Sequence, residues 1–354
     1  MGRCSRDSGH RISRRSLLKL GAVASCAGIV GLCPKGSPGL EKSLKAPLRP
    51  GGPGHVVEVH MPGMRGKQFP HPEAAAAMVQ SAVATLAREP DPARAWAKFI
   101  RKDDKVAIKI NCLGGRLSST MKEVVDPIVE GVRSAGVPDA NILIFDQFGG
   151  SMRAARYALQ EKEGRLRVMS HDRFGYEQAW TEVEGGRGKL SKALTWATAV
   201  INVPVIKDHD LAGAGITCAM KNLVFGSVEK PQLLHREIAV ALPHFYARDE
   251  IRGRSRLTIV DGSFCLYDGG PKHNGAAHVT HDRVYASTDP VAIDAIALEV
   301  VEDYRRKNSL KSLEAARRPA TFLPLAEKLG LGVARRDKIF LEQVELPPFA
   351  GPPA

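Results

Sequence analysis

Asn202 to Asn222 reads NVPVIKDHDLAGAGITCAMKN, an apolar strand that runs straight into polar and small residues. Ala199–Val203 has the short, continuous apolar character of a buried strand, and Pro204, which cannot donate to a ladder, is expected to end it. Lys207, Asp208, His209 and Asp210 then read as a charged loop, and the glycines of LAGAG mark a bend. After Thr217 the segment CAMKNLVFG reads as a helix. Lys221 and Asn222 then lie about one turn beyond Thr217, on a face that looks back at the loop. Strand, charged loop and helix start is the layout that places ligands at the carboxyl edge of an open α/β sheet.

The same alternation continues on both sides. Upstream, His55–Val59 reads as a strand, and Pro72–Arg88 and Pro92–Ile100 as helices that open on prolines. Lys105–Ile110 (KVAIKI) and Asn141–Phe145 (NILIF) are buried strands followed by helices at Val124–Ser134 and Met152–Gln160. Leu166–Met169 is a strand candidate and Lys192–Thr198 a helix. Downstream, Leu257–Val260 and Arg283–Ser287 are strands, and Asp289-Pro290 supplies an N-cap and first-turn proline for a helix reaching Tyr304. Ala320–Lys328 is a further helix and Lys338–Val344 a final edge strand. The region with His235, Pro243, His244 and Tyr246 reads as an irregular cap, and Ser263–His281 as a long loop of the kind used for lids and binding. These units predict an α/β fold: a mostly parallel open sheet, helices on both faces in Rossmann-like layering, and long loops at the carboxyl edge. The expected divisions are a targeting region at 1–35, a Pro/Gly-rich linker at 36–54, one α/β domain at 55–346 and a flexible tail at 347–354.

With 354 residues, 44% hydrophobic and 25% charged, the chain has the composition of a soluble globular protein. Its net charge of +13 is concentrated at the amino terminus, and residues 36–354 carry +7. No basic stripe interleaved with aromatics is present, so a nucleic-acid surface is not expected. Ser13-Arg14-Arg15-Ser16-Leu17-Leu18-Lys19, followed by an apolar run from Leu20 to Leu32, is similar to a twin-arginine export signal. It implies the twin-arginine export machinery as a partner and a periplasmic or otherwise exported location. The apolar run is shorter than the ~20 residues of a membrane span, so no permanent span is expected. Val23-Ala24-Ser25-Cys26 also resembles a lipoprotein cleavage box, with anchoring at Cys26 as the alternative. That export route carries folded proteins, often with a cofactor inserted, which raises the expectation of a metal or cofactor. Cys112, Cys218 and Cys265 remain for the body of the chain. No CxxC occurs, which argues against an iron–sulfur cluster.

Four apolar strands end in polar residues: Asn111, Asp146, Lys207 with His209, and Asp261. In a parallel sheet such ends line one edge and can share a cleft. His209 suits metal ligation or acid/base work, with Asp261 and His235 as further metal donors and a divalent ion as the candidate. No HxH or HExxH spacing is present, so such a site depends on residues meeting in space. Lys207 and Lys221 suit a carboxylate or phosphate, and Asn222 an orienting amide. Arg116 and Thr120, in the Gly-rich and hydroxyl-rich run after KVAIKI, also suit an anion at a helix start. Thr217 completes the ligand-binding set with Asn111 and Asp146.

KINCLGG with Thr120, NILIFD, NVPVIKDHDLAGAGITCAMKN, LLHR, TIVDG, DGGP, STDPVAIDAIA and GLGVARRDKI together resemble the family called domain of unknown function 362, over about residues 105–342. The family's usual Lys-Thr-His is here Lys207-Asp208-His209, followed by Thr217 and Ala219-Met220-Lys221-Asn222. Some members carry ferredoxin-like cysteine repeats that this chain lacks, and the resemblance brings no activity with it. Two readings follow. One is an exported, metal- or cofactor-dependent enzyme acting on a small anion, with His209, Lys221 and Asp261 as catalytic residues. The other is a non-catalytic accessory protein that captures a ligand or metal in the same cleft.

Overall fold

The computed structural model describes residues 51–351, so the twin-arginine and Cys26 motifs and most of the expected linker lie outside it. Among the described residues there are twelve strands: β1 His55–His60, β2 Val106–Lys109, β3 Ile142–Asp146, β4 Arg167–Ser170, β5 Thr181–Val183, β6 Gly186–Gly188, β7 Ala199–Asn202, β8 Val205–Asp208, β9 Ile216–Thr217, β10 Ser255–Leu266, β11 His278–Ser287 and β12 Phe340–Glu345. Ten of them form one sheet, in the order β12-β1-β11-β10-β7-β2-β3-β4, with β8 added beside β10 and β9 beside β8. β4, β3, β2, β7 and β10 run parallel, as do β10 with β8 and β1 with β12. β11 is antiparallel to both its neighbours, and β9 is antiparallel to β8. The expected α/β fold with a mostly parallel sheet is therefore present.

Strand alternation sorts the core into two layers. Val106 and Ile108 of β2, Ile142 and Ile144 of β3, and Leu257 and Ile259 of β10 pack with helices Pro72–Ala87, Pro92–Ala97 and Lys122–Ser134. Their neighbours Ala107, Leu143, Phe145 and Val260 point the other way, into helices Ala219–Phe225, Ile238–Tyr246, Pro290–Lys307 and Phe322–Lys328. Asp289 caps the helix Pro290–Lys307 as its sequence foretold, accepting from Val291 N–H and Ala292 N–H at 2.9 Å each. The other oxygen of Asp289 accepts from Gly54 N–H and Val333 N–H, which ties down the last residues of the expected linker. Near the other end, Phe349 N–H donates to Pro62 O at 2.9 Å, and its ring lies 4.8 Å from that of His71.

Four elements differ from the sequence reading. Pro204 interrupts the sheet for only two residues, because the chain steps sideways and rejoins it as β8 against the far half of β10. Lys207 and Asp208 thus lie on a buried strand, not in a loop. β10 has 12 residues and passes through Asp261-Gly262-Ser263, which shortens the expected long loop to residues 267–277. Pro243 lies inside a regular helix, Ile238–Tyr246, whose Ala241, Leu242 and Phe245 are buried. The helix expected to run from Met152 to Gln160 covers only Gly149–Ala154.

Candidate functional site

β2 and β3 end side by side, β8 brings Lys207 within hydrogen-bond reach of Asn111 just beyond β2, and the helix Ala219–Phe225 sets Asn222 against Lys109 and Asn111. The alternation that buries Ala107 with the helix Ala219–Phe225 turns Lys109 to the same side. Lys109 is fully buried, and its ammonium donates to Asp146 Oδ1 at 2.6 Å, to Ile110 O at 2.6 Å and to Asn222 Oδ1 at 3.3 Å. Gly226 makes room for it: a Cβ there would lie 2.5 Å from Lys109 Nζ and 2.4 Å from Asn222 O. Asp146 accepts Cys112 N–H on its other oxygen at 2.6 Å.

An amide relay continues from this pair. Asn222 Oδ1 accepts from Asn111 Nδ2 at 3.1 Å, so the Asn222 amide nitrogen faces Asn202 Oδ1, 2.8 Å away. Asn111 Oδ1 in turn accepts from Lys207 Nζ at 2.8 Å, and Ser118 O accepts from the same ammonium at 3.1 Å. Burial, against the pull of Asp146, lowers Lys207 to about 8.

Lys221 is different. It is 8% exposed, its ammonium sits 5.4 Å from the Phe225 ring centroid, and among the described residues it has no hydrogen-bond acceptor and no ion-pair partner. Burial first, and then the charge of Lys207, pulls it down to about 7. The helix that carries it is held by Asp294, whose two oxygens accept Ala219 N–H at 2.6 Å and Met220 N–H at 2.9 Å.

A cavity of about 350 Å³ opens on this group, lined by Lys109, Asn111, Asp146, Thr217, Lys221 and Asn222 on its polar side. His209, Asp210 and His235 line it too. His209 is buried, and burial with the charges of Lys221, His235 and Lys207 lowers it to about 2, so its ring is neutral. Its Nδ1 accepts Leu211 N–H at 3.1 Å, which leaves the proton on Nε2. Asp210 Oδ1 is 3.0 Å from the same Nδ1, but that carboxylate is 70% exposed and its charge is screened by water. His235 is stacked on Phe225, with ring centroids 5.4 Å apart. The Thr217 hydroxyl is buried with no hydrogen-bond partner. Such an orphan costs free energy unless something else meets it.

The remaining sequence candidates lie elsewhere. Asp261 falls in the middle of β10, on the face of the helix Lys122–Ser134, where it accepts Met121 N–H at 2.7 Å and Ser263 N–H at 3.0 Å. Thr120 bridges Asn111 N–H and Val203 O. Arg116 is exposed, with its guanidinium 5.0 Å from the Phe69 ring centroid. None of the three lines the cavity. The donor set His209, His235 and Asp261 therefore does not converge, and among the described residues no group of three or more His, Cys, Asp or Glu is arranged to hold a metal. The residues at hand do not fit a metal held by side chains alone. Cys112, Cys218 and Cys265 are buried and unpaired, and burial raises all three thiols, so none is a ready nucleophile.

Two groups escaped the sequence reading. Lys109 is one, and its signal was a lysine at the end of the otherwise apolar run KVAIKI. The other is a buried ion network beneath β8. Asp208 Oδ2 accepts from Arg318 Nη1 at 2.8 Å and Arg305 Nη1 at 3.4 Å, Asp208 Oδ1 accepts Gly270 N–H at 2.6 Å, and Arg318 also donates to His209 O at 2.9 Å. It fixes the strand end that presents Lys207 and His209.

Fold and site together define an α/β protein with a small polar pocket, holding an unpaired lysine, at the carboxyl edge of its sheet. The chain belongs to the family described as Domain of unknown function (DUF362), which matches residues 106–299. No curated protein matches the sequence. Among solved structures, the lactate racemase apoprotein from Thermoanaerobacterium thermosaccharolyticum is similar at 14% identity and a TM-score of 0.32, over 70% of this chain and 62% of that one. The chain thus spans less than two thirds of that protein's length, and at this TM-score nothing about activity follows from the likeness.

Proposed function

We propose that the cavity binds a small anion and that Lys221 exchanges a proton with it, making the protein an enzyme acting on a small anionic substrate. The observation that carries this reading is the Lys221 ammonium, buried, unpartnered among the described residues and open to a cavity. Burying an unpaired charge is costly, and a bound anion would remove that cost. The charges nearby agree: Asp146 is taken up by Lys109, Lys207 adds a further positive charge close to Lys221, and the one other carboxylate lining the cavity, Asp210, is largely in water. The orphaned Thr217 hydroxyl and the Nε2–H of neutral His209 are further donors for the same ligand.

A lysine at about 7 is present in both protonation states near neutrality, which suits it to give and take a proton. Lys207, at about 8 and so mostly protonated at neutral pH, adds positive charge beside Lys109, and the Asn202–Asn222–Asn111 relay holds the two in place. With the twin-arginine motif, the reading is of an exported enzyme. The test is calorimetric titration of the full chain with small carboxylates and phosphates at pH 6, paired with proton NMR in D2O. The expected result is binding of at least one such anion, weakened more than tenfold in Lys221→Met, with deuterium entering a carbon position of the bound molecule. Binding without deuterium uptake would favour the accessory protein over the enzyme. No binding of any small anion would overturn the reading.

A further inference from the structure

The rim of the cavity differs in chemistry from its floor. Leu113 and Phe148 line the same cavity as Lys221, and they are 48% and 49% exposed. Large apolar side chains that exposed are few among the described residues, and two of them meet at this one opening. Their positions follow from the fold. Leu113 comes two residues after Asn111 on the loop leaving β2, and Phe148 two residues after Asp146 on the loop leaving β3. Because β2 and β3 are adjacent parallel strands, each places a polar residue at its end and an apolar one just above. Leu211, Phe225, Pro231 and Pro271 extend the apolar wall.

We infer that the ligand is an amphipathic anion: a carboxylate or phosphate head that reaches Lys221, joined to a short aliphatic or aromatic body that covers Leu113 and Phe148. This rests on the anion reading above and adds the substrate class to it. Apolar side chains left half in water gain when a ligand body covers them, and a cavity of about 350 Å³ suits a small molecule. Continuity with the floor that carries Lys221 makes one ligand, with head and body linked, the occupant of both regions.

The experiment is a chain-length series, straight-chain carboxylates and alkyl phosphates of two to eight carbons, titrated into the full-length protein. Affinity is expected to rise by up to about fourfold for each methylene added until the cavity is full. The double variant Leu113→Ser/Phe148→Ser, at two half-exposed positions, is expected to flatten that rise. Affinity independent of chain length, with the shortest anions still bound, would overturn the amphipathic class and leave the anion site standing. A rise that persists in the double variant would equally overturn the role of these two side chains. Failure of every member of both series to bind would overturn the anion site itself, and the amphipathic class with it.

Discussion

Replacing Lys221 by methionine should make the protein more stable while removing its anion site. The fall of Lys221 from 10.5 to about 7 corresponds to about 5 kcal/mol of cost for keeping that ammonium buried. That figure is an upper bound, since water in the cavity and local relaxation reduce it. Exchanges of buried charge for apolar groups of similar volume gain about 1–4 kcal/mol. Methionine matches the length of the lysine stem and keeps the contact with Phe225. The gain has a pH signature. Below about pH 7 the lysine is protonated in both folded and unfolded chains, so the whole cost is present and the variant's advantage is largest. Between about 7 and 10.5 the folded protein has released the proton that the unfolded chain retains, and the advantage shrinks by about 1.4 kcal/mol per pH unit. Above 10.5 it vanishes. Thermal and denaturant unfolding of the two full-length proteins at pH 6, 8 and 9.5 measures it. A destabilised variant, or an advantage that does not change with pH, would refute the claim that this ammonium is buried without a partner.

Other consequences follow from the same geometry. If the anion is held by protonated Lys221, its affinity should be flat below about pH 7 and fall by about tenfold per unit above, as isothermal titration across pH 6 to 9 would show. Asp294→Ala leaves two buried N–H groups at the start of the helix Ala219–Phe225 unmet and should cost about 2–4 kcal/mol in unfolding, with loss of anion binding. Arg318→Met removes one of the two guanidinium partners of Asp208 and should cost about 1–3 kcal/mol, more when combined with Arg305→Met than either change alone. Arg14→Lys with Arg15→Lys should hold the protein inside the cell, which fractionation and the size of the accumulated chain would reveal.

Much of the sheet was legible because parallel strands buried on both faces write themselves as apolar runs. KVAIKI, NILIF and Ala199 to Val203 became β2, β3 and β7 within a residue or two. Asp289-Pro290 announced its helix because capping chemistry is local. What escaped depended on partners distant in sequence. β8 was hidden because its residues are charged, and Lys207 and Asp208 sit on a buried strand only because Asn111, Ser118, Arg305 and Arg318 arrive from elsewhere to meet them. β10 was read short because Asp261-Gly262-Ser263 has the composition of a turn. There the Met121 N–H and the carboxylate's own neighbour Ser263 supply what water would otherwise supply. The idea of one edge collecting polar strand ends located the cavity, and it failed at Asp261 because that residue does not end its strand. Lys109 was missed because a lysine in an apolar run looks like a strand boundary until Asp146 and Asn222 are seen around it.

The most direct measurement is the titration of the Lys221 side chain itself, by NMR of the full-length protein carrying labelled lysine, assigned by comparison with Lys221→Met. The account predicts a midpoint near 7 in the free protein and a clear rise when a bound anion is present. A midpoint near 10.5, unmoved by any small carboxylate or phosphate, would contradict it.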